Sequence, residues 1–82
     1  MNKQRREKIR QLKARFQDIQ TELKQASSEL SSILDEERDV FDNMPEGLQS
    51  SYRGMCSEDA IDSMEEAIEK IDEVTELLNE II

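Results

Sequence analysis

Nine carboxylates crowd the middle of this 82-residue chain: Asp35, Glu36, Glu37, Asp39, Asp42, Glu46, Glu58, Asp59 and Asp62, with Arg38 and Arg53 among them. Carboxylates brought together on facing helices can hold a divalent cation through their oxygens. The patterns that would make such a site specific are absent. There is no EF-hand spacing and no Glu-x-x-His pair of the kind found in di-iron bundles. The chain has no His at all, which also removes the common zinc spacings. The cluster reads as a solvated acidic face or as a docking surface for a basic partner. No metal and no cofactor is assigned to it.

A second candidate lies in residues 43–57, which hold both glycines, the proline, Tyr52, Arg53 and Cys56. Loops carry function more often than regular elements do. Tyr52 and Arg53, side by side, could stack on and clamp a nucleotide or a phosphate. Phe41, Asn43, Pro45 and Gln49 complete this possible ligand or partner site. The competing reading is structural: Met44, Leu48 and Met55 plug the end of a bundle and Tyr52 packs on them. Cys56 has no His to activate it, so no catalytic thiol is expected, and no catalytic residue is assigned. A single Cys fits a reducing cytoplasm better than secretion.

These residues need elements to carry them. Two Gly, one Pro, no Trp and 38% charged residues suit long helices rather than a sheet. In the first half, Ile9, Leu12, Phe16, Ile19, Leu23, Ala26, Leu30, Ile33 and Val40 recur at alternating steps of three and four. Glu37 stands at the one gap, where it is expected to sit near the open end of the ladder and reach water, because an unpaired buried charge is costly. In the second half Ile61, Met64, Ile68, Ile71, Leu78 and Ile82 repeat the rule, with Thr75 at the gap. Ala60, Ala67, Val74 and Ile81 form a second ladder beside the first, the wider face of a bundle helix.

The spacing predicts an all-α helical hairpin with coiled-coil heptads in one domain: helix 1 over about 3–42, a connection over 43–57, and helix 2 over about 58–82. Pro45 breaks the first ladder, and Asn43 is the expected cap of a short turn after it. Gly54 is read as a left-handed bend. Ser57, followed by Glu58 and Asp59, is read as the N-cap of helix 2. In the antiparallel hairpin, residues whose numbers add to about 100 lie level at 1.5 Å rise per residue.

That register leaves residues 1–17 projecting beyond helix 2, with Ile9, Leu12 and Phe16 uncovered. Leaving three such side chains wet forgoes roughly 5 kcal/mol, comparable to the whole stability of a small domain. A partner is implied, and the simplest is a second copy. Charge has a matching polarity. Residues 1–24 carry eight Lys/Arg against three acids, a net of +5, while residues 25–82 carry three against seventeen, a net of −14, together giving −9. An antiparallel dimer of hairpins with a four-helix core, or a higher homo-oligomer, is expected. Its interface would draw on Ile9, Leu12, Phe16, Ile19, Leu23, Ala60, Ala67, Val74 and Ile81. Because the heptads begin within the basic stretch and the rest of the chain repels phosphate, direct nucleic-acid binding is disfavoured. No apolar stretch suits a leader or a membrane span. A cytoplasmic protein is expected.

The run Asp35-Glu36-Glu37-Arg38-Asp39-Val40-Phe41-Asp42-Asn43-Met44-Pro45-Glu46, continued by Leu48-Gln49 and Ser51, resembles a group of small, mostly uncharacterised helical proteins of bacterial phages and mobile elements. Ala60-Ile61-Asp62 leading into Glu65-Glu66-Ala67-Ile68 shares the likeness, which covers roughly residues 35–71. The resemblance assigns no functional residue. It implies a bacterial host and a setting in which such proteins inhibit host defence or trap nucleotide signals between protomers. Three functions follow as expectations. The first is a non-catalytic protein that binds a host component. The second is an oligomeric sponge for a nucleotide second messenger, using residues 43–57. The third is an acidic nucleic-acid mimic built on helix 2, which from Glu58 onward has ten acids and only Lys70 as a base.

Overall fold

A computed structural model describes residues 2–81 as three helices in chain order: α1 over Lys3–Asp42, α2 over Glu46–Gln49 and α3 over Tyr52–Glu80. Among the described residues there is no strand. The two long helices run back along each other in a hairpin 63 Å long. Ile82, expected as the last rung of the second ladder, lies outside the described residues.

α1 is held at both ends by asparagines. The Asn2 side chain accepts from the Arg5 N–H at 2.8 Å, an N-cap satisfying one of the orphan donors of the first turn. At the other end, Asn43 closes α1 instead of opening the next turn: its Nδ2 donates to the Asp39 carbonyl at 2.7 Å. The short α2 begins after Pro45 and has no side-chain cap.

α3 starts six residues before the expected Glu58. Its N-cap is Ser51, whose side chain accepts from the Gly54 N–H. Ser57 lies inside the helix and is buried. Gly54 is no left-handed bend, since no glycine has positive φ. It is buried beneath the end of α2, where a Cβ would collide with the carbonyl oxygens of Leu48 and Gln49. The acids after Ser57 made it look like a helix start. The docking of α2 on the first turn of α3 outweighs that local preference.

The α3 side turned to α1 consists of Ser57, Ile61, Met64, Ile68, Ile71, Thr75 and Leu78, all buried or half-buried. On α1 the seam is rotated from the expected one. Phe16, Leu23, Leu30 and Glu37 face inward as the ladder requires, but they alternate with Gln20, Ser27, Leu34 and Phe41, while Ile19, Ala26, Ile33 and Val40 are exposed. Adjacent residues on a helix point 100° apart, so α1 carries two overlapping stripes, and α3 covers only one. Among the described residues, Leu34, absent from the expected ladder, is the most buried apolar side chain at 4% exposure, and the only other in the buried core is Ile61.

Candidate functional site

Cross-hairpin polar contacts cluster near the closed end. The Ser57 hydroxyl donates to a Glu37 carboxylate oxygen, and Arg38 pairs with Glu65 while also reaching Asp35 at 3.6 Å. Glu37 is half-buried and partnered, not simply open to water as expected, because α3 begins early enough to bring Ser57 over it. The Glu65 hydrogen bond, joined by the nearby charges of Asp35 and Asp42, pushes the Arg38 guanidinium pKa further up, so it stays charged throughout the accessible pH range.

The acidic residues singled out above do not converge. Asp35, Glu36, Asp39, Asp42, Glu46, Glu58, Asp59 and Asp62 are all exposed, and among the described residues no three acids or thiols are grouped to hold a metal ion.

The residues of the 43–57 segment are distributed as follows. Phe41 and Gln49 are tied together, with Gln49 Nε2 donating to the Phe41 carbonyl at 3.0 Å. Asn43 and Pro45 are exposed on the turn. Arg53 borders a shallow recess of about 360 Å³ shared with Glu37, Val40, Met44, Cys56 and Ala60. Tyr52 does not border it and is 83% exposed. Nor do Leu48, Met55 and Tyr52 form a plug, since all three are exposed and only Met44 is half-buried. α2 turns Leu48 outward, and the first turn of α3 does the same for Tyr52 and Met55.

The two broad faces of the hairpin differ in chemistry. One groove, of about 600 Å³, has polar walls, with Gln17, Gln20, Thr21, Lys24, Ser27, Ser28 and Ser31 on α1 facing Asp72 and Thr75 on α3, over a floor that includes Ile68 and Ile71. The Gln20 amide nitrogen is buried there without a hydrogen-bond partner among the described residues. The other face is apolar. Leu12, Ile19, Ala26, Ile33 and Val40 line α1, each seven residues from the next; Ala60, Ala67, Val74 and Ile81 do the same on α3, and all nine are exposed. Val40 and Ala60 border one recess; Leu12 and Ile81 border a cleft of about 210 Å³ at the open end, with Ile9, Phe16 and Leu78, that also reaches Gln17 and Gln20 of the polar groove. The end of α3 thus reaches back to Phe16 and Ile9, further along the arm than expected.

Of the expected interface residues, Leu12, Ile19, Ala60, Ala67, Val74 and Ile81 lie on this exposed face, whereas Ile9, Phe16 and Leu23 are half-buried toward α3. Sequence reasoning missed Ala26, Ile33 and Val40 as members of the face, having spent them on the hairpin interior. Their seven-residue spacing from Leu12 and Ile19 is the signal that could have found them. No protein-family model, curated protein or solved structure matches this chain. Among the described residues no helix is long and apolar enough to cross a membrane.

Proposed function

We propose that the chain is a non-catalytic helical interaction protein. It acts as a phage or mobile-element accessory protein that assembles as a homo-oligomer in the bacterial cytoplasm and binds a host component, in the manner of an anti-defence inhibitor. The observation that carries this reading is the apolar face of nine exposed side chains opposite a polar one. Large contiguous apolar patches on small proteins mark interaction surfaces. The thin interior points the same way, because among the described residues only Leu34 and Ile61 are buried apolar side chains, a poor core for a hairpin of this length. The phage setting rests on the resemblance over residues 35–71.

The test is capture from bacterial lysate with the tagged full chain, followed by identification of bound proteins and small molecules. A retained host protein that is lost when the apolar face is made polar supports the proposal. Turnover of a substrate, abolished by a single acid or Cys56 substitution, overturns it.

A second reading, the acidic mimic, is favoured by the exposure of all ten acids from Glu58 to Glu80, of which only Glu65 and Glu73 are seen in ion pairs among the described residues. It predicts salt-sensitive capture of a nucleic-acid-binding protein, lost on charge reversal of α3. The nucleotide sponge would need Tyr52 and Arg53 to meet on one ligand, and calorimetry with a cyclic-nucleotide panel tests it directly.

A further inference from the structure

We infer that the apolar face is covered by a second copy of this chain, turned end for end about a two-fold axis that passes beside Ala26 of α1 and Val74 of α3. This deepens the interaction-protein reading and rests on it by naming the partner of that face.

The first argument is the order of side chains. Turned about Ala26, the α1 stripe matches itself: Ile19 falls opposite Ile33 of the second copy, Leu12 opposite its Val40, and the small Ala26 opposite its own counterpart, where two helices need to approach closely. Turned about Val74, the α3 stripe sets Ala67 against Ile81, small against large. These two centres lie within about one helical turn of level with each other. The cross-hairpin contacts of Glu37 with Ser57 and of Arg38 with Glu65, and the recess shared by Val40 and Ala60, join residues whose numbers add to about 100. Ala26 and Val74 obey the same sum. One axis therefore serves both helices.

The second argument is charge. The same turn lays the basic arm of each copy, net +5 over residues 1–24, along the closed end of the other, where Asp39, Asp42, Glu46 and Glu58 are exposed. A two-fold axis along the hairpin would instead place both basic arms at one end. Complementary potentials of this kind select orientation.

The third is size. From Leu12 to Val40 the face is about 42 Å long and two helices, about 20 Å, wide, or roughly 800 Å² per protomer, which is what a standard stable interface uses.

The experiment combines mass measurement with site-directed cross-linking of the full chain carrying Cys56→Ser. Light scattering at micromolar concentration is expected to give twice the 9.6 kDa chain mass. Under mild oxidation Ala26→Cys is expected to form a disulfide-linked dimer on the order of tenfold faster than Ser28→Cys on the polar side, because only cysteines whose Cα atoms come within about 7 Å can be bridged. Ile33→Glu should convert the dimer to monomer; should that variant unfold instead, the cross-linking comparison still decides. A helical 9.6 kDa monomer, a trimer or larger ring, or equal rates at the two cysteines would each overturn the inference. None of these readouts involves a host component, so capture from lysate stands or fails separately.

Discussion

Glu37 and Ser57 meet across the hairpin, the serine hydroxyl donating to the carboxylate in a part-buried setting. The pair occupies the layer between Leu34 and Phe41 on α1 and beside Ile61 on α3, where an apolar ladder is interrupted on both helices. Each residue makes the other tolerable there. A half-buried carboxylate needs a donor, and a buried hydroxyl needs an acceptor.

Removing one partner should therefore cost more than replacing both. Ser57→Ala is expected to destabilise the fold by about 1–3 kcal/mol by leaving the Glu37 carboxylate short of a donor, whereas Glu37→Leu with Ser57→Ala should be near neutral. Urea unfolding of the two single variants and the double variant, followed by circular dichroism, gives the comparison. Equal losses in the single and double variants would contradict the pairing.

Gly54→Ala presents two opposed effects. Helix propensity favours Ala by about 1 kcal/mol. The collision with the Leu48 and Gln49 carbonyls acts the other way, and it dominates because those atoms belong to backbone that cannot swing aside. A net loss of about 2–4 kcal/mol is expected. Gly47→Ala is the control: nothing lies within 4 Å of its Cβ, so the same substitution in α2 should stabilise by a few tenths to about 1 kcal/mol. Thermal melts of the two variants should shift in opposite directions.

Ser51→Ala tests the true start of α3. Loss of the N-cap to Gly54 should cost about 1 kcal/mol. Under the alternative start at Ser57 it would cost nothing, and hydrogen exchange at residues 52–56 would be as fast as in an unfolded peptide.

Leu34→Ala and Ile33→Ala separate the interior from the exposed face. Leu34, at 4% exposure, should cost about 2–4 kcal/mol at any protein concentration. Ile33, at 53%, should cost the isolated hairpin little, and its loss should grow with protein concentration as association becomes important. Denaturation at micromolar and at several-hundred-micromolar chain distinguishes the two.

Most of α3's inward side could be read directly, because Ile61, Met64, Ile68, Ile71 and Leu78 form a stripe flanked by acids on one side and small residues on the other. α1 offers a harder case. Ile33 and Leu34 are adjacent and both apolar, as are Val40 and Phe41, so periodicity alone permits either seam. The choice is visible only in the contact with α3, where Glu37 meets Ser57 and Leu34 is buried. Ser57 was misread for a related reason: its sequence neighbours favour a cap, while the contact with α2 lies outside any local window. The candidate ligand residues were chosen for their chemical types, and types do not report convergence. Tyr52 and Arg53 are adjacent in the chain yet border different surroundings.

A hairpin whose described residues bury so little holds its shape by a narrow margin. On the proposal that its flank is covered, uncovered copies would open more readily and meet proteases, while covered ones would persist. The number of surviving molecules would then follow the supply of surfaces to occupy, and excess synthesis would be cleared without a dedicated control.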